Sequence, residues 1–318
     1  MKLWLIVLCG LVGLGFLQSP LLSALGPYYN HILVLAGINI ILAVSLNLTN
    51  GIAGQFSIGH AGFYAVGAYM SAVVSVYGGP SIRAATAFAP VWAQDTFILL
   101  LACLAGVALA AVAGLLVGIP SLRLRGDYLA IVTLGFGEII RVLILNIDYI
   151  GGARGFTGIP NLANFFWIFV GVFAAIFTVR NIERSSFGRA LLSIRENEIA
   201  AQAMGIPITK YKVMAFVISS GFAGLAGGLF AHFTLYLHTN TFGFNKSFEI
   251  IIMVALGGMG SLLGSIMGAV ILTVLPEMFR ALQDYRMVIY SLVLILIMIF
   301  RPQGLLGRTE KSARKKKG

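Results

Sequence analysis

Charge is what this sequence lacks most. Only 10% of its 318 residues are Asp, Glu, Lys or Arg, against about 25% in a soluble globular domain. The acidic side is the poorer one, 11 Asp and Glu against 22 Lys and Arg. Cysteine is also scarce: Cys9 and Cys103 both lie in apolar stretches, which reads as small-residue packing and excludes a disulfide framework or a paired-cysteine metal site. There is no G-x-x-x-x-G-K-[ST], no H-E-x-x-H and no serine nucleophile motif. The chain therefore cannot cradle ATP phosphates by a P-loop, and no catalytic constellation is visible. The glycine-rich G-G-A-R-G-F-T-G lacks the P-loop lysine and is not a nucleotide site.

Apolar sequence is what is present. Hydrophobic residues make up 59% of the chain and the mean hydropathy is +0.95. Runs of membrane-spanning length, about 20 residues, recur throughout and leave no room for a separate soluble domain. The predicted fold is all-α, a polytopic helical membrane protein of about ten transmembrane helices. The candidate spans are 3–22, 31–48, 57–77, 96–118, 128–147, 164–180, 211–236, 247–259, 262–279 and 286–300. The start could be a signal peptide, but apolar character continues to Leu22 and favours a first span. The short segments 247–259 and 262–279 read equally as one broken helix or a helical hairpin. Gly-, Pro- and Ala-rich 78–95 and glycine-rich 148–163 read as connections on one side. The second of these either lines an entrance, contacts a partner, or is merely mobile.

The net charge of +11 is no nucleic-acid signal, because the cations sit between spans and at the C-terminus. Arg123 and Arg125, the segment 180–212, and a tail ending K-K-K-G carry them. By the positive-inside rule these regions are cytoplasmic. Ten spans then place both termini inside.

Two glycine-rich breaks interrupt the apolar pattern: N-L-T-N-G-I-A-G-Q-F-S-I-G-H-A-G at 47–62 and L-G-G-M-G-S-L-L-G-S-I-M-G at 256–268. Irregular backbone is tolerated in lipid only against protein or a wet cavity, and transporters place broken, re-entrant helices of inverted repeats at mid-membrane. An inverted repeat is therefore expected, and the first break is expected to line a translocation pathway. Asn47, Gln55, Ser57 and His60 are its candidate residues, although His60 alone reads better as a side chain bonding a neighbouring carbonyl. Glu138 is a further pathway candidate. It lies three residues before Arg141, so the two can pair on one helix face.

Segment 180–212 is too polar to span a bilayer and has apolar spans on both sides. Ala190, Leu191, Ile194, Ile199 (or Glu198), Ala201 and Met204 recur near helical spacing, which predicts a structured loop against the membrane. Within it, Glu198, Ala200, Ala201 and Gly205 are similar to the E-A-A-x-x-x-G motif of bacterial ABC importer permeases, with Ile199 intervening between the Glu and the Ala pair.

The resemblance is carried further by G-I-A-G-Q-F-S-I-G-H-A-G-F-Y-A-V-G-A-Y, L-R-L-R-G-D-Y-L-A-I-V-T-L-G-F-G-E-I-I-R, T-G-I-P, G-R-A-L-L-S-I-R-E-N-E-I-A-A-Q-A-M-G-I, F-A-G-L-A-G-G-L-F and R-P-Q-G-L-L-G. In this order, from about residue 40 to 307, they resemble permease subunits of bacterial branched-chain amino acid ABC importers, specifically the longer of two permease types. The resemblance implies a transmembrane permease domain over 1–307 with a coupling loop at about 181–209, and a basic tail over 308–318. It implies a non-catalytic subunit in the bacterial inner membrane. Its expected partners are a second, homologous permease, two ABC ATPases that bind the ATP and Mg, and a periplasmic or lipid-anchored binding protein. No cofactor is expected in this chain, and no nucleic acid. Segment 189–205 would be one short coupling helix. Arg195 and Glu198 would make polar contacts with the ATPase, while Ala200, Ala201 and Gly205 permit close approach. Related permeases move urea or short amides, and an ion-coupled secondary amino acid transporter is the alternative from another class.

Overall fold

The computed structural model describes residues 26–87, 89–121, 126–279, 285, 291, 292, 295, 299, 300 and 304–306. Among the described residues six helices are long and apolar enough to cross a membrane: α1 Gly26–Ile52, α2 His60–Ala85, α3 Val91–Ser121, α4 (its apolar stretch Tyr128–Leu145), α5 Phe165–Arg184 and α8 Ile208–Thr234. Between α5 and α8 lie two short helices, α6 Ser186–Glu196 and α7 Glu198–Ala203. After α8 come α9 Phe244–Gly257 and α10 Leu262–Met278. The protein is a polytopic helical membrane protein. The expected span 3–22 and most of 286–300 lie outside the described residues.

The centre is a three-helix crossing of α2, α3 and α8. Lipid offers no hydrophobic drive for helices to associate, so contact must come from close van der Waals packing, which small residues allow. Gly106, Ala110 and Gly114 recur every four residues along α3, and Ser220, Gly224 and Gly228 along α8. Gly67 of α2 meets Gly224 backbone to backbone. A Cβ on Gly106 would lie 2.7 Å from the Gly67 carbonyl oxygen, and one on Gly224 would lie 2.8 Å from that of Gly106. Cys103 is buried in this crossing, as its packing role predicted.

One expectation about connections is corrected, and one left open is narrowed. The loop expected at 78–95 is largely helix, because α2 continues to Ala85. A π turn at Val74–Gly78 interrupts the regular ladder just before Pro80, where the missing N–H would otherwise break the helix. The segment 148–163 is pinned rather than loose. Phe156 and Leu237 exchange backbone hydrogen bonds of 2.8 and 3.0 Å, and Tyr77 stacks on Tyr149 at 4.4 Å.

The ambiguity at 247–279 resolves to a hairpin. Gly257 packs on Gly264, and Gly268 on the Met253 carbonyl, so α9 and α10 run antiparallel about the Gly258–Ser261 turn. Ser261 caps α10 by accepting from Gly264 N at 3.1 Å. Leu305 and Leu306 cap the other side. Leu305 N donates to Leu256 O at 2.8 Å and Leu306 N to Gly257 O at 3.0 Å, which satisfies carbonyls that a helix end leaves orphaned.

Candidate functional site

The first glycine break is buried inside the bundle. Gly67 crosses α3 and α8 at residues lying about 22–24 Å from their ends at Ser121 and Ile208, yet only about 10 Å along α2 from His60, at 1.5 Å per residue. Helix α2 therefore begins about 12 Å inside the bundle, and residues 53–59 run as irregular backbone at that depth. Their polar groups need protein partners there. Asn50 supplies two, its Nδ2 donating to Ser57 O and its Oδ1 accepting from Ser57 N, each at 3.1 Å. Thr133 Oγ1 of α4 accepts from Ile58 N at 3.1 Å. Gln55 N reaches Thr49 O at 3.0 Å.

The predicted pathway residues divide here. Asn47, Gln55, Ser57 and His60 share this buried break. His60 Nε2 and Ser45 Oγ are 2.9 Å apart, so the histidine bonds a neighbouring hydroxyl rather than the expected carbonyl. Ser57 acts through its backbone. Both side-chain amide atoms of Gln55 and Nδ2 of Asn47 are buried without a protein hydrogen-bond partner among the described residues. Glu138 lies apart, on α4, paired with Arg141 Nε at 2.7 Å. That pair keeps 37% and 27% of its side-chain surface exposed on the least enclosed of the six long helices.

The second break meets the first. Gly260 N donates to Asn47 Oδ1 at 2.8 Å. Gly51 faces Gly260 so closely that a Cβ on Gly51 would overlap the Gly260 backbone. This seam between α1 and the hairpin tip lies at the end of the bundle carrying α6 and α7. Beside it opens a groove of about 980 Å³, lined by Ile52, Arg180, Glu183, Arg195, Met259 and Gly260 among others.

The single helix expected over 189–205 is two helices. Asn197 adopts extended backbone, φ −159° and ψ 108°, and ends α6. Its Oδ1 accepts from Ile199 N and Ala200 N at 3.0 and 3.1 Å, starting α7 as an N-cap. Helix α6 is anchored by buried Leu191 and Ile194 and by Phe187 stacked on Tyr211 at 5.2 Å. Helix α7 instead presents a face. Ile199 is 73% and Met204 82% exposed, with Ala200 and Ala203 exposed beside them. Gly205 closes the helix at φ +79°, a left-handed stop that glycine adopts without strain.

The predicted coupling residues are therefore dispersed. Ala200 and Gly205 lie on the exposed surface and Ala201 points inward. Glu198 pairs with Lys212 of α8. Arg195 donates from Nη1 to Gly51 O at 2.8 Å, with 35% of its side-chain surface still exposed. The sequence reading counted Ile199 and Met204 in the apolar period but gave them no role in coupling. Their signal was present as large apolar residues within a segment too polar to enter the bilayer, and Ile199 is the residue that interrupts the E-A-A pattern.

The Glu198–Lys212 pair fastens α7 to the bundle, with the Lys212 side chain only 10% exposed. Glu198→Ala would leave that ammonium buried without its carboxylate, which costs on the order of 3 kcal/mol. Limited proteolysis should show cleavage between 197 and 207 accelerated in Glu198→Ala, with the rest of the chain unaffected. Among the described residues no group of three His, Cys, Asp or Glu could hold a metal ion.

Among the described residues, six long apolar helices, irregular backbone buried inside the bundle and a structured polar segment at one end fit a polytopic transport permease. The chain belongs to the family "branched-chain amino acid transport system / permease component", which it matches over residues 28–300. It is 37% identical to the high-affinity branched-chain amino acid transport system permease protein LivM of Salmonella typhimurium, over 88% of this chain and 70% of that protein. Identity to LivM of Escherichia coli is also 37%, over 90% of this chain and 72% of the relative. The permease protein LivH of Salmonella typhimurium is 30% identical over 51% of this chain and 53% of its own length. No solved structure matches the chain.

Proposed function

We propose that this chain is one permease half of an ATP-driven importer for branched-chain amino acids, with α7 as the dock for a cytoplasmic ATPase. The observation that carries this reading is the exposed apolar face of α7, Ile199 and Met204 flanking Ala200. Apolar groups held in water outside the bilayer mark a protein contact, and the small residues between them let a partner approach closely. In the family's setting the partner is an ATPase that binds ATP and Mg itself. The relationship to both LivM and LivH supports pairing with a second, related permease. The half-exposed Glu138–Arg141 pair supports it too, because charges on a membrane helix are disfavoured against lipid. Helix α4 would face the partner permease, with the buried amides of Gln55 and Asn47 nearer the substrate's route. A binding protein would deliver substrate from outside. The basic end is then cytoplasmic, and the membrane is the bacterial inner membrane.

Purification in mild detergent from the native membrane tests this. The wild-type chain should bring down two P-loop ATPases and a second permease. Gly205→Trp should still insert, because nothing lies within 4 Å of a Cβ at that position and the left-handed backbone costs an L-residue only about 1–2 kcal/mol. It should nevertheless lose the ATPases, since the indole covers the dock. Normal transport and normal ATPase retention in Gly205→Trp would refute the dock.

A further inference from the structure

Arg195 joins three parts of the chain that are distant in sequence. It stands in the last turn of α6, two residues before the cap of α7. Its Nη1 donates to Gly51 O at 2.8 Å. The same Nη1 would lie 3.0 Å from a Cβ on Gly260, so the guanidinium sits over the seam where the two glycine breaks meet. Its aliphatic stem packs on Gly54, whose Cβ would come 3.1 Å from that of Arg195. The other edge of the guanidinium is held by Glu196, which accepts from Nη2 at 2.7 Å and Nε at 3.3 Å. This uses the rigid fork of arginine, which lysine does not possess.

The seam itself is built for closure. Gly51 and Gly260 touch through backbone, Asn47 Oδ1 binds Gly260 N at 2.8 Å, and Leu305 and Leu306 cap the adjoining end of α9. The groove beside it opens at the same end as α7 and is lined by both Arg195 and Gly260. Asn197 joins the end of α6 to the start of α7, and Arg195, two residues before it, reaches the seam.

We infer that Arg195 is the positioning residue that converts movement of the α6–α7 segment into opening of the Gly51–Gly260 seam, the inner closure of the substrate path. This rests on the reading of α7 as the ATPase dock. Displacing α6 withdraws Nη1 from Gly51 O, and the α1 break separates from the hairpin tip. Arg195 thus acts inside the permease, and its contact with the ATPase is indirect.

The test uses the full complex, with both permeases, the ATPases and the binding protein, reconstituted in vesicles. Amino acid moved and ATP hydrolysed are measured together. Arg195→Ala and Arg195→Lys should retain the ATPases in the wild-type ratio and hydrolyse ATP. The amino acid moved per ATP should fall on the order of tenfold, the usual scale of coupling between sites. Lysine should not rescue, because it cannot hold Gly51 and Glu196 in one plane. Glu196→Gln, at a carboxylate whose side chain is 72% exposed, does not threaten folding and should lower the same ratio to a smaller extent. An unchanged ratio in all three variants overturns the inference. Loss of the ATPases from Arg195→Ala or Arg195→Lys also overturns it, by returning Arg195 to the docking surface. Failure of the wild-type chain to bind any ATPase is a different result and refutes the dock itself.

Discussion

Gly224→Leu is expected to remove the protein from the membrane fraction. The substituted carbon would enter the α2–α3–α8 crossing 2.8 Å from the Gly106 carbonyl oxygen, with the rest of the side chain still to be placed. The obstacles are the Ala110 Cβ at 2.5 Å and the Gly106 backbone, both on α3, and neither can move by a rotamer change. Overpacking a well-filled core costs about 1–3 kcal/mol. With three helix backbones in contact the cost should reach or exceed the top of that range, a large part of the 5–15 kcal/mol by which folded proteins are stable. Gly221→Ala, three residues away on the same helix, is the control. Its Cβ would meet Val107 at 3.5 Å, ordinary contact, and the variant should accumulate like wild type. Fluorescence-detected gel filtration of the solubilised proteins reads both. Equal accumulation of Gly224→Leu and Gly221→Ala would mean that the crossing is looser than described.

The double variant Ile199→Asp with Met204→Asp should fold as wild type and lose its ATPases. Both side chains are more than 70% exposed, so replacing them changes stability by about 0.5 kcal/mol or less. Apolar anchors at the centre of an interface are worth about 2 kcal/mol each, so two of them amount to roughly a thousandfold in affinity. The carboxylates would also be desolvated on docking. Unchanged yield of the chain together with absent ATPases is the expected result. Retention of the ATPases would move the dock off α7.

Much of this molecule was legible in its sequence. The helices follow from apolar runs of membrane length, because lipid admits few alternatives to a helix for unsatisfied backbone. The Gly-rich breaks at 47–62 and 256–268 were visible because glycine and amide side chains are conspicuous in an apolar background. The pairing of Glu138 with Arg141 was legible too, being local, three residues apart on one helix. Pro80 misled, because a proline in a Gly- and Ala-rich stretch reads as loop, while the π turn before it lets α2 continue. The single coupling helix misled for a similar reason. Asn197 looks like one more polar residue in a helical period, and only its extended backbone makes it the end of α6 and the cap of α7.

The sequence by itself determined the class of the protein, its helical content, the position of its breaks and the polar segment between α5 and α8. These depend on composition and on periodicity within some twenty residues. The tertiary structure alone decided that the two breaks close on each other, with Asn47 bonded to Gly260. It decided that Arg195 points inward to Gly51 while Ile199 points out, and that 247–279 folds back as a hairpin. The physical reason is range. A helix forms from neighbours a few residues away, whereas the partner of a buried carbonyl or amide is chosen by which backbones can approach, and in this bundle glycines far apart in the chain set that approach.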